Sequence, residues 1–166
     1  SCQKIFKDKE KMLDKTDFCE SKDGDPDLVI YIPFSSQVNI RSMRLIGGED
    51  GTSPAKIKLF VNRDESKADF DLKEETPEQE IDCIENSDGS LPYFLKGNKF
   101  HSVWNIILVV MYNYQGDNTK IYYIGFEGVS SNKRKTFKLE ISDENKNPSK
   151  VPPSKETHAH DHLIYG

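Results

Sequence analysis

The sequence predicts an all-β fold, a two-layer antiparallel β-sandwich or jelly roll, and three observations carry that reading. Apolar residues recur at period two in several segments, the spacing that turns one face of a strand inward. Clusters of Gly, Asn, Asp and Pro separate those segments and have the composition of turns. No long stretch repeats at the helical period, so strands must build the core.

In chain order, Leu28, Ile30, Ile32 and Phe34 share one face of a first strand, with Tyr31 on the other. The next strand begins in phase with Val38 and Ile40 and resumes out of phase with Met43 and Leu45. A bulge near Arg41-Ser42 restores both pairs to one face. Gly47 to Pro54 reads as a turn, and Ile57, Leu59 and Val61 alternate with Lys56 and Lys58 in a half-buried strand. Tyr93 to Lys96 is a short strand. Val103 to Tyr112 is apolar at nearly every position, which fits a central strand buried on both faces or one whose outer face meets a partner. Asn113 to Asn118 is a hairpin turn, Ile121 to Phe126 alternates, and Thr136 to Ile141 turns Phe137, Leu139 and Ile141 inward. Eight or nine strands result, divided among a polar leader (1–22), a sandwich (23–142) and a flexible His-containing tail (143–166).

The chain has 166 residues, an apolar content of 35% and a formal net charge of -5, which fits one domain with long solvated segments. Its longest apolar run, Ile106 to Tyr112, is far short of the ~20 residues a helical span requires. The expectation is no membrane association. Cys2, Cys19 and Cys83 form no Cys-x-x-Cys pair and no even-numbered set, which argues against a disulfide scaffold and for a reducing compartment, cytoplasm or nucleus. The opening Ser1-Cys2-Gln3-Lys4 has no apolar signal segment. Starting at Ser rather than Met is consistent with a processed chain.

Residues 64–88 carry eleven carboxylates against Lys67 and Lys73. Such asymmetry gives a solvated face or a dock for a basic partner surface, with Glu74, Glu75 and Glu78 at its centre. Lys133-Arg134-Lys135 lacks interleaved aromatics, so no nucleic-acid partner is expected. Gly47, Gly48 and Gly51 sit between strands rather than before a helix, which removes a nucleotide loop.

His158, His160 and His162 are the cluster with metal-ligand chemistry. On an extended strand they point one way, and they serve one ion only if the backbone bends. They resemble the metallo-β-lactamase signature but lack one residue before Asp161. Asp23, Asp25 and Asp27 have calcium-loop spacing, yet Leu28 and Phe34 stand where an EF-hand needs Gly and Glu. A looser oxygen-ligand site stays open there. Cys83, with acids on both sides, should have a raised thiol pKa and be a poor nucleophile. His101 reads as a strand-end residue, and no catalytic or cofactor-binding residue is assigned.

One further pattern links these segments. Asp23-x-Asp25-x-Asp27-Leu28-Val29 leads to Ile32-Pro33-Phe34, followed by Val38-x-Ile40 to Ile46-Gly47 and Pro54-x-x-Ile57-x-Leu59-Phe60-x-Asn62. Asn113 then precedes Thr119-Lys120-Ile121-x-Tyr123-Ile124-Gly125-x-x-Gly128. Over about residues 20 to 141 this order resembles the PITH domain, a family named for proteasome-interacting thioredoxin. Lacking a thioredoxin region, the chain is most similar to stand-alone members, whose His-containing tail it shares. The resemblance implies a galactose-binding-like β-sandwich, no catalytic residues and association with the proteasome. The chain departs from the family in having no recognisable leader before Phe18, and Ile107, Val109 and Met111 are apolar where outward positions are commonly polar. If those three face out, they mark a contact patch.

The function expected is a monomeric, non-catalytic, cofactor-free module that docks on a large protein assembly, the proteasome regulatory particle. A carbohydrate or small-ligand binder using the loops Gly47 to Pro54 and Asn113 to Asn118 is the alternative. A metal-dependent enzyme built on His158, His160 and His162 is third.

Overall fold

A computed structural model describes residues 2–130. The predicted strand Thr136 to Ile141, the tail and its three histidines lie outside the described residues. Among the described residues seven strands form an antiparallel sheet: β1 (Cys19–Glu20), β2 (Leu28–Gly47), β3 (Pro54–Val61), β4 (Gln79–Asp82), β5 (Tyr93–Phe94), β6 (Val103–Asn113) and β7 (Lys120–Ser130). Their order is β1-β7-β2-β6-β3-β4, with β5 also paired to β2. The all-β reading holds, and the helices among the described residues are short 3-10 turns.

The organising element is β2. Its first half pairs with β6, from Leu28↔Val110 to Pro33↔Asn105, and its second half pairs with β7, from Val38↔Ser130 to Gly47↔Ile121. Sequence periodicity suggests two strands here, but one chain passes between both partners. The register shifts between Ile40 and Ser42, where the change of phase predicts a bulge. Leu28, Ile30, Ile32, Phe34, Val38, Ile40, Met43 and Leu45 thereby enter one core with Ile57, Leu59, Ile106, Leu108, Ile121 and Phe126. Phe34 and Phe126 meet edge to face at 5.6 Å, an arrangement aromatic rings favour.

The other face of β6 is covered too. Ile107 and Val109 are fully buried with Phe60 and Leu72, and Val29, Tyr31, Ala68 and Met111 pack around them. The expectation that Ile107, Val109 and Met111 form an outward patch is therefore corrected. The cover is the segment holding the 3-10 turns Glu65–Lys67 and Phe70–Glu74. Asp64 and Asp69 cap those turns by accepting from Ser66 N and Asp71 N, satisfying donors the short turns leave open.

The leader also departs from expectation. Ile5 is completely buried in the main core, and Cys19 pairs with Ile121 across β1 and β7. Cys2 and Cys19 form a disulfide with Cα atoms 4.4 Å apart, contrary to the reading of three separate cysteines. Lys15 bonds Glu49 at 2.6 Å and lies over the Tyr122 ring, while Lys120 lies over Phe18. Sparse anchors suffice because a short segment needs only one buried side chain and a cross-link to stay docked. Packing thus begins ahead of the predicted boundary at residue 23.

Candidate interaction surface

The acidic segment is built onto the sheet. Lys58, nine-tenths buried, donates from Nζ to the carbonyls of Lys73 (2.6 Å) and Glu75 (2.8 Å). Lys73 pairs with Asp27 at 2.7 Å, and Arg63 with Glu75 at 3.2 Å. Glu78 Oε1 accepts from Val61 N at 2.8 Å, extending the β3 edge. These ties, with Leu72 buried beneath, hold the backbone of residues 70–78. The side chains of Asp69, Asp71, Glu74 and Glu75 remain exposed. The excess of carboxylates consequently creates a negative field anchored to a rigid support.

Glu74, Glu75 and Glu78 come together along a shallow groove of about 480 Å³, where Lys58, Gln79 and Lys96 also contribute. The structure joins these three sequence-predicted residues and separates them from Ile107 and Val109, which lie under the cover. Met111 is half-buried at its border. In sequence Lys58 is the polar side of a half-buried strand, and its role in holding the acidic backbone has no sequence signal.

The other candidate groups do not converge. Asp25 accepts from Asp27 N, and Asp27 is taken by Lys73. Among the described residues no three His, Cys, Asp or Glu side chains are grouped to hold a metal. Cys83 is buried, and burial first, then the charge of Asp82, pushes its thiol up to about 12. The direction agrees with expectation, though desolvation outweighs the acids. His101 is exposed with Nδ1 3.1 Å from Ser102 Oγ.

The loops of the carbohydrate alternative fill each other's space. Gly116 N donates to Gly51 O at 2.9 Å, and Tyr114 N to Ser53 O at 3.1 Å. Gly51 has φ +83°, and a Cβ there would stand 2.9 Å from Tyr114 O. Only glycine tolerates both constraints. Asn113 braces the turn through bonds from Nδ2 to Gly116 O and Asn118 O.

The PITH domain family profile matches residues 1–145 of this chain. The chain belongs to the PITH domain family. The match starts at residue 1 and so includes the docked leader, which corrects the expectation that no recognisable family leader precedes Phe18. This PITH domain is similar to PITH domain-containing protein ZK353.9 of Caenorhabditis elegans, 40% identical over 126 residues, covering 76% of this chain and 59% of that protein. It is similar to PITH domain-containing protein 1 of Dictyostelium discoideum at 36% identity, covering 78% and 63% of the two chains. For the Homo sapiens protein of the same name the identity is 31%, covering 75% and 57%. The chain thus spans about three fifths of the curated relatives it matches. PITH membership supports the role of a protein-interaction module.

Proposed function

We propose that this PITH domain is a non-catalytic module that associates as a monomer with the proteasome, at its regulatory particle, in the cytoplasm or nucleus. The proteasome enters through the resemblance described above. The observation that supports a docking role is the acidic segment itself, held by Lys58, Arg63 and Leu72 while Asp69, Asp71, Glu74 and Glu75 face solvent. A fixed field of one sign raises the rate of encounter with a surface of the other sign, and salt screens it.

Co-sedimentation of the chain with purified proteasomes at low and high salt tests the proposal. Binding at low salt that declines as salt rises is expected, with a slower association for Glu74→Lys. No co-sedimentation at low salt contradicts it.

A further inference from the structure

We propose that the sheet edge where β4 meets β5 is a docking site for a lysine- or arginine-rich protein segment carrying a large apolar side chain. This deepens the interaction reading and depends on it only for the partner's identity. Phe94, Leu91 and Ile84 are 69%, 65% and 49% exposed. Single apolar residues on a surface are ordinary, but three large ones at one edge mark a contact site.

The scaffold sets the segments that carry these three side chains side by side. Ile84 N donates to Tyr93 Oη at 2.9 Å, so the end of β4 adjoins β5. The Gln79 side-chain amide donates to Phe94 O at 3.1 Å and accepts from Lys96 N at 2.9 Å, standing in for a strand's peptide group. On its other side β5 pairs with β2 through Ser42↔Phe94 and Met43↔Tyr93. Tyr93 packs against the core, and strand alternation sends Phe94 outward. Arg44 Nη1 donates to Gly89 O and Ser90 O at 2.6 and 3.0 Å, pinning the chain just before Leu91. The anchors are therefore preorganised, which lowers the entropic cost of binding.

Charge selects the occupant. Glu80 and Asp82 on β4, and Glu85 and Asp88 in the connection that follows it, are all exposed. Lys56 lies 3.7 and 3.4 Å from Glu80 and Asp82, and the four carboxylates outnumber the bases Lys56, Lys96 and Arg44 by one. A second copy would set carboxylates against carboxylates across a two-fold axis, and an anionic lipid surface would be repelled. A cationic segment with an apolar anchor satisfies both parts of the surface.

The test uses the full chain and a synthetic peptide alternating lysine with leucine, with glutamate-for-lysine and serine-for-leucine peptides as controls. Amide shifts should centre on Ile84, Leu91, Phe94 and Lys96. Phe94→Ser combined with Leu91→Ser should weaken binding by about tenfold or more without lowering the unfolding temperature. Glu85→Lys, a change at an exposed position, should weaken it independently. Unchanged affinity in the variants, equal binding of a control peptide, shifts centred elsewhere, or self-association that already buries Phe94 would each overturn the proposal. The same variants in proteasome co-sedimentation separate the two readings. Retained proteasome binding removes this edge as the contact but leaves the proteasome reading. Peptide binding without proteasome binding by the native chain does the reverse.

Discussion

Val109 shows how one side chain's surroundings decide its role. Its apolar character at an expected outward position predicts a contact patch, yet it is fully buried beside Phe60 and Leu72. Val109→Lys should therefore put an unpaired charge into a closed cluster, and a loss of about 4 kcal/mol or more follows. Denaturant unfolding measures it. Near-native stability would restore the open-face reading.

Glu49 is held down to about 2, first by its hydrogen bond from Lys15 and then by that from Tyr122. Because this pKa is depressed from the ordinary 4.5, its stabilising effect is complete above that value. It is lost as pH falls from about 4.5 through about 2. The side chain is 48% exposed, so the effect is modest and salt-sensitive. Glu49→Gln should unfold at a lower temperature than the native chain near neutral pH, with the gap closing on acidification. A gap unchanged between neutral and strongly acidic pH would contradict this assignment.

At the scale of elements, the Cys2–Cys19 bond closes a loop with a sequence separation of 17. By loop entropy, removing such a link costs about 3 kcal/mol. Cys2→Ser should lower global stability by up to that amount, with the buried Ile5 left as the segment's remaining core anchor. A reducing compartment opposes the bond, so reductant should reproduce the variant's unfolding midpoint. Full loss of the β7 edge contacts on reduction would show that the cross-link alone holds the leader.

Elements were legible where side-chain pattern alone defines them. Period two reveals β2, β3 and β7, a continuous apolar run reveals β6, and the phase slip within β2 reveals the bulge. β1 and β4 have no such pattern: Cys19-Glu20 and Gln79-Glu80-Ile81-Asp82 are strands because β7 and β3 offer backbone partners. The cover over β6 was hidden for a related reason. Its sequence reads as an acidic loop, and the signal within it is Ala68 and Leu72, apolar residues set among acids.

For the whole molecule, the acidic segment was legible because charge needs no geometry to be counted. The neighbouring apolar edge was not, since exposure of Ile84, Leu91 and Phe94 depends on which face each strand turns to the core. The two features are physically continuous: β4 follows the segment held by Lys58, and its end meets β5 through Tyr93. Negative charge would guide encounter, and apolar anchors would retain the complex.

Zero-length carboxylate-to-amine coupling of the native chain on purified proteasomes probes this arrangement most directly. Links should run from carboxylates within residues 64–88 to partner lysines, diminishing at high salt and in the Phe94→Ser, Leu91→Ser variant. Links confined to Asp8, Glu10, Asp14 and Asp17 of the leader, or unaffected by either change, would contradict the account.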